Sequence, residues 1–232
     1  MEGQTIVNIP DDKRKVKGVA DIVIAIDVTG SMEPCITGLK DNLKVFVDNL
    51  STGTGDNQQS LTWRARMLPF RDLNVDEVGL DNSFPFVSTA NEFQAQIDTL
   101  EHKGGGDEPE SILDALYVAA QKTDWKEIGQ AHRFILLFTD AHPHDELHSS
   151  TIEVGADNSI NAVIQEISKQ RIKLFIVAPA HDHFSKLAMI QKSMYLVLKE
   201  EDRHKGLENT DFTKLMESLA KTVSQQSEIV VA

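Results

Sequence analysis

Three apolar runs punctuate the chain: DIVIAID at 21–27, RFILLFTD at 133–140 and KLFIVAPA at 173–180. Each is rich in β-branched residues and none alternates with polar positions, the pattern of strands covered on both faces in a parallel sheet. TWRARMLPF at 62–70 alternates more and suits a strand nearer an edge; MYLVL at 194–198 supplies a last strand. Between these runs the apolar period changes to that of helices. Ile36, Leu39, Leu43, Phe46, Val47 and Leu50 form one stripe over 36–50, and Ile112, Leu113, Leu116 and Ala120 another over 110–122. Ile160, Val163, Ile164 and Ile167 mark a third helix at 159–170. Phe212, Leu215, Met216, Leu219 and Val223 mark a fourth at 211–223, capped by Thr210 or Asp211. The alternation predicts an open, mostly parallel α/β sheet with helices on both faces.

The expected organisation is an N-terminal extension at 1–18, one domain at 19–225 and a short tail at 226–232. The tail sequence EIVVA is β-prone and is a candidate partner for TIVNI at 5–9 on a sheet edge.

Charge narrows the function. With 23 basic and 36 acidic residues the net charge is −13. A basic footprint for nucleic acid is missing, and an anionic membrane surface would repel such a chain. The expected partners are cations and other proteins. Cys35 is the single cysteine, so no internal disulfide forms, and a reducing compartment is expected. The first 18 residues lack the apolar core of a signal peptide, and no run approaches the roughly 20 apolar residues that span a bilayer. The expected location is the cytoplasm.

Candidate chemistry gathers where strands end, which is where ligands bind in open α/β sheets. Asp27-Val28-Thr29-Gly30-Ser31 follows the first strand, Asp140 follows the run at 133–139, and GGGDEPE at 104–110 precedes a helix. Carboxylate and hydroxyl oxygens from three segments suit a hard divalent cation. Taken alone, Asp-x-Thr-Gly-Ser is equally a capping turn before a helix.

These motifs resemble a known family. Asp27-Val28-Thr29-Gly30-Ser31-Met32 resembles the metal-ion-dependent adhesion site of von Willebrand factor type A domains, whose first loop reads Asp-x-Ser-x-Ser. LLFTDAHPHD at 136–145 resembles the later strand ending in Thr-Asp, and GGGDEPESILDAL at 104–116 the intervening loop and helix. MLPFRD at 67–72 and EFQAQIDTLEHKGGGDEPE at 92–110 look most like the hemicentin-type branch, and the similarity runs from about residue 19 to about 223. The resemblance implies a Rossmann-like three-layer fold. It implies a cation, Mg²⁺ first and Mn²⁺ or Ca²⁺ next, held directly by Thr29 and Ser31 with Asp27 and Asp140 close by or bound through water. The family's third-loop threonine has no hydroxyl counterpart here; Asp107 aligns there, with Glu108 as a second choice. A third carboxylate would hold the ion more tightly and weaken its pull on a partner's acid.

Other features carry less. His142, His144, His148, His181 and His183, with Asp145 and Asp182, crowd the same loops and are candidates for a second site for Zn²⁺ or for acid–base chemistry, or are simply solvated. Cys35, Trp63 and Trp125 read as packing residues. The glycines at 104–106 lack the lysine of a phosphate loop, and the acids beside them repel phosphate. No Gly-x-Ser-x-Gly frame surrounds Ser31.

The expected function is therefore a non-enzymatic, cation-dependent protein-interaction module serving as a scaffold or adaptor in a cytoplasmic assembly. The alternative is a metal-dependent phosphate-ester hydrolase in which Asp27, Asp107 and Asp140 hold the ion, His142 or His144 moves a proton, and Arg71 is the nearest cation for phosphate.

Overall fold

The computed structural model describes residues 14–51, 61–76, 78–105 and 108–231. In chain order the strands are β1 (Arg14–Lys17), β2 (Val19–Asp27), β3 (Thr62–Phe70), β4 (His132–Phe138), β5 (Ile172–Ala178), β6 (Met194–Val197) and β7 (Glu228–Val231). The helices are α1 (Glu33–Ser51), α2 (Ala90–Asp98), α3 (Ile112–Lys122), α4 (Ile160–Lys169), α5 (Asp182–Leu187) and α6 (Phe212–Gln226). Five strands form one parallel sheet in the order β3-β2-β4-β5-β6. The architecture is an α/β fold with helices on both faces of a central parallel sheet.

The unbroken apolar runs are explained by this layering. Ile22, Ile24 and Ile26 of β2 point into one core, shared with α1 and α6. Val23 and Ala25 point into the other, shared with α3 and α4. A strand between two cores has no face for polar residues. Each fully buried isoleucine contributes about 1.5–3 kcal/mol of burial. β2 has two polar residues, Asp27 at its end and Asp21 near its start, where Arg64 binds both Asp21 oxygens at 2.7 Å and Lys126 N donates to Oδ2 at 2.8 Å.

β3 and β6 are the edges, as the alternation of 62–70 suggested for the first of them. Beyond β3 the backbones of Ala65 and Val87 exchange two antiparallel hydrogen bonds of 2.8 and 2.9 Å. The tail pairs antiparallel with Arg14–Lys17 as a separate two-stranded sheet; residues 5–9, its expected partner, lie outside the described residues. α1 begins at Glu33, three residues before the predicted start, and α3 begins at Ile112 because Glu110 is held in a bridge with Pro143. Asp211 caps α6, its side chain accepting from Lys214 N at 3.1 Å. Among the described residues no helix is long and apolar enough to cross a membrane.

One consequence of strand order places the site. From β2 the chain moves to β3 on one side, and later returns to β4 on the other. The crevice that opens at such a switch point lies beyond the carboxyl ends of β2 and β4. Those ends carry Asp27 and Asp140.

Candidate metal centre

Asp27 is fully buried, and its carboxylate accepts hydrogen bonds from Thr29 in the loop that follows it and from Thr139 at the end of the neighbouring strand. Thr29 donates to its Oδ1 twice, from the backbone at 2.9 Å and from the hydroxyl at 2.7 Å. Thr139 donates from its hydroxyl to Oδ2 at 2.9 Å. Burial pushes the Asp27 pKa up to about 6; the Thr29 and Thr139 hydrogen bonds oppose that rise, and the charge of Asp140 adds to it. Burial likewise raises Asp140, against hydrogen bonds from Gly206 and Ser31.

After Thr29 the chain makes a single 3₁₀ turn over Gly30–Met32, a tight turn that keeps Ser31 close to Thr29. Ser31 Oγ lies 3.4 Å from Thr29 Oγ1 and donates to Asp140 Oδ1 at 3.0 Å. Gly206 N donates to the other Asp140 oxygen at 2.7 Å. Gly206 has φ of 54°, and a Cβ there would collide with Ser31 O, so glycine is required for this approach. Gly105 is constrained in the same way, with φ of 67°, and a Cβ there would lie only 2.8 Å from Thr29 Cβ.

The result is a cleft of about 490 Å³ lined by Thr29, Ser31, Gly105, Glu110, Asp140 and His204, among others. The structure thus brings Thr29, Ser31 and Asp140 together, with Asp27 directly beneath. Asp107 lies outside the described residues. Glu108 lines the cleft but is engaged elsewhere: Arg203 Nη2 pairs with its Oε2, and His142 N donates to its Oε1 at 2.5 Å. Burial would raise the Glu108 carboxyl, but these partners hold it below its usual range. Glu110, buried and lining the same cleft, was missed in the sequence. Its only signal was its place in GGGDEPE, three residues after Asp107.

The histidines do not form one group. His142, His181 and His183 stack in series with ring centroids 4.9 Å apart, and His181 Nδ1 accepts from His183 N at 3.2 Å as the cap of α5. His144 instead reaches Asp72 Oδ1 at 2.8 Å, and His148 reaches Ser150 Oγ at 2.7 Å. Among the described residues, no three His, Cys, Asp or Glu side chains are disposed to hold a metal. A cation placed in the cleft would therefore need hydroxyls as well as acids. Two hydroxyls and two carboxylates, all oxygen, fit a hard divalent ion and roughly balance its charge. Arg71 spends its guanidinium on the carbonyls of Val28, Val78 and Glu101. Cys35 is buried in the core, and its thiol is raised well above its ordinary pKa by that burial. Trp63 packs on Phe93 and Trp125 on Phe86.

The family model described as von Willebrand factor A domain matches residues 21–200. The chain belongs to that family. Such domains generally mediate protein–protein interaction. No curated protein matches the chain. Two solved structures of proximal thread matrix protein 1 from the mussel byssus share the fold of this von Willebrand factor A domain. One has 16% identity and a TM-score of 0.61, the other 15% and 0.59. Each match covers 94% of this chain and 49% of the other, so the chain spans about half the length of those proteins.

Proposed function

We propose that this von Willebrand factor A domain is a cation-dependent protein-interaction module of the metal-ion-dependent adhesion type. Thr29, Ser31 and Asp140 hold a divalent cation, Mg²⁺ first and Mn²⁺ or Ca²⁺ next, and Asp27 supports them from below. Asp107, which the family resemblance aligns with the third loop, belongs to the same proposal, and Glu110 is a second source of a carboxylate there. When bound, the cation supplies a positive centre that a partner's oxygen can complete. The likeness to the hemicentin-type branch, a cytoplasmic location and a role as scaffold or adaptor are parts of the same reading.

The observation that carries it is the 3.0 Å contact between Ser31 Oγ and Asp140 Oδ1, joining loops 109 residues apart beside a buried second aspartate. The charge of Asp140 raises the Asp27 pKa, and a cation beside the two acids would relieve that repulsion. The hydrolase reading has less behind it. His142 and His144 face Glu108 and Asp72, and Arg71 is committed to backbone carbonyls.

Thermal unfolding in Mg²⁺, Mn²⁺ and EDTA tests the reading. The parent gains stability with either ion, and Asp27→Ala and Ser31→Ala lose that gain while remaining folded. Equal gains in parent and variants would remove these residues from the site.

A further inference from the structure

A second cleft, of about 910 Å³, opens between the start of α3 and the loop at 144–158. Its buried element is Asp114, in the first turn of α3 and 0% exposed. Asp114 Oδ1 accepts from His148 N at 2.9 Å. Oδ2 is buried with no hydrogen bond of good geometry among the described residues. The Thr151 hydroxyl lies near the carboxylate and lowers its pKa, but burial wins and the net shift is upward. A buried carboxylate oxygen without a donor is costly, and a donor supplied by a ligand recovers that cost.

The surroundings define the donor. Asp145, Glu146 and Glu153 line the same cleft and are exposed, and neither lysine nor arginine is among its lining residues. Leu147, Ile152 and Val154 add apolar surface, with Val154 fully exposed. Among the described residues no three acidic or histidine side chains are disposed around a metal, so a bare ion has no ready shell. A long side chain with an aliphatic stem and a cationic, hydrogen-donating head matches both surfaces. Arginine fits better than lysine because its guanidinium is less strongly hydrated and presents several N–H groups in a plane.

We infer that the Asp114 cleft is a docking pocket for an arginine side chain presented by a partner protein. The stem lies along Leu147 and Ile152, and the guanidinium reaches Asp114 between the acidic rim residues. Oδ2 is buried beside the turn in which Thr151 N donates to His148 O at 2.9 Å, and residues 145–158 contain no helix or strand, so in this inference the loop gives way on entry. Pro109 lines this cleft while Glu108 and Glu110 line the cation cleft, so one partner can span both. The pocket does not depend on the cation.

The test is a titration of the ¹⁵N-labelled full chain with a capped Gly-Gly-Arg-Gly-Gly peptide, followed by amide shifts. Saturable shifts at His148, Thr151 and Glu153 are expected, with binding at least tenfold weaker for the uncharged citrulline peptide. Asp114→Asn weakens the arginine peptide at least tenfold. Ala156→Trp, which plugs the mouth without touching Asp114, does the same and carries the test should Asp114→Asn fail to fold. Asp27→Ala leaves the titration unchanged, which separates this pocket from the cation site. Equal binding of the citrulline peptide, or unaltered binding by Ala156→Trp, overturns the inference. Shifts with spermidine but none with the peptide overturn it too, assigning the pocket to free polyamines.

Discussion

Thr139 Oγ1 donates to Asp27 Oδ2 at 2.9 Å, tying the ends of two strands that are neighbours in the sheet and 112 residues apart in the chain. Thr139 N is itself fixed, donating to Val177 O at 3.1 Å. Thr139 therefore carries the order of the sheet into the orientation of a buried carboxylate. It precedes Asp140 directly, so one dipeptide both positions the lower acid and supplies the upper one.

Thr139→Val keeps the shape and deletes that donor. The variant is expected to lose about 1–3 kcal/mol, because Asp27 Oδ2 is left buried without it. Its Mg²⁺ affinity is expected to fall by about 10-fold or more, as for other groups that orient ligands. Denaturation in urea and a cation titration followed by melting temperature read the two effects separately.

Gly206→Ala places a methyl where Ser31 O already lies, at a backbone angle that side chains rarely adopt. The expected cost is about 1–3 kcal/mol, and Gly206 N is drawn away from Asp140 Oδ2. Guanidinium denaturation measures the first. A weaker response to Mg²⁺ measures the second, whereas a merely strained loop would leave that response intact.

Asp21 and Asp27 bracket the same strand, yet only one belongs to the cleft. Asp21→Ala removes the carboxylate that binds Arg64 through both oxygens and accepts from Lys126 N, leaving Arg64 with the Asp124 carbonyl and the Phe86 ring. A loss of about 2–4 kcal/mol is expected in urea denaturation. The cation-dependent gain in melting temperature stays as in the parent.

His132 is half-buried, and its pKa is lowered to about 4 by burial first and by Lys173 and Lys192 next. Above pH 6.5 the ring is neutral in both folded and unfolded chains, so it contributes no pH dependence there. As pH falls from 6.5 towards 4, the unfolded chain takes up a proton that the folded one refuses, and stability drops. His132→Gln is expected to reduce that drop by on the order of 1–2 kcal/mol, allowing for the ring's partial exposure. Urea midpoints of parent and variant at pH 7, 5.5 and 4.5 give the difference.

Much of the architecture was legible in the sequence because it rests on local pattern. DIVIAID and RFILLF announce doubly covered strands by having no polar face, and the stripe from Ile36 to Leu50 announces a helix by its period. Asp27-x-Thr29-x-Ser31 was readable too, since three residues spaced by two need only one turn to converge. α2 and α5 escaped: the first lies in a mixed polar segment and the second is six residues long. The histidines followed the sequence only in part, His142 meeting His181 and His183 while His144 and His148 turn away. Nearness in sequence put His142, His144 and His148 together, but the loop turns each toward a different partner.

The chain by itself determined which residues must be buried, where strands end and which oxygens stand at those ends, because burial and periodicity are properties of neighbouring residues. Tertiary structure alone decided that β4 lies beside β2, that Thr139 reaches Asp27, that Gly206 closes on Asp140 and that Glu110 lines the cleft while Glu108 is held by Arg203. Those pairings join residues separated by tens to more than a hundred positions, and the packing of the two cores against one sheet sets them all at once.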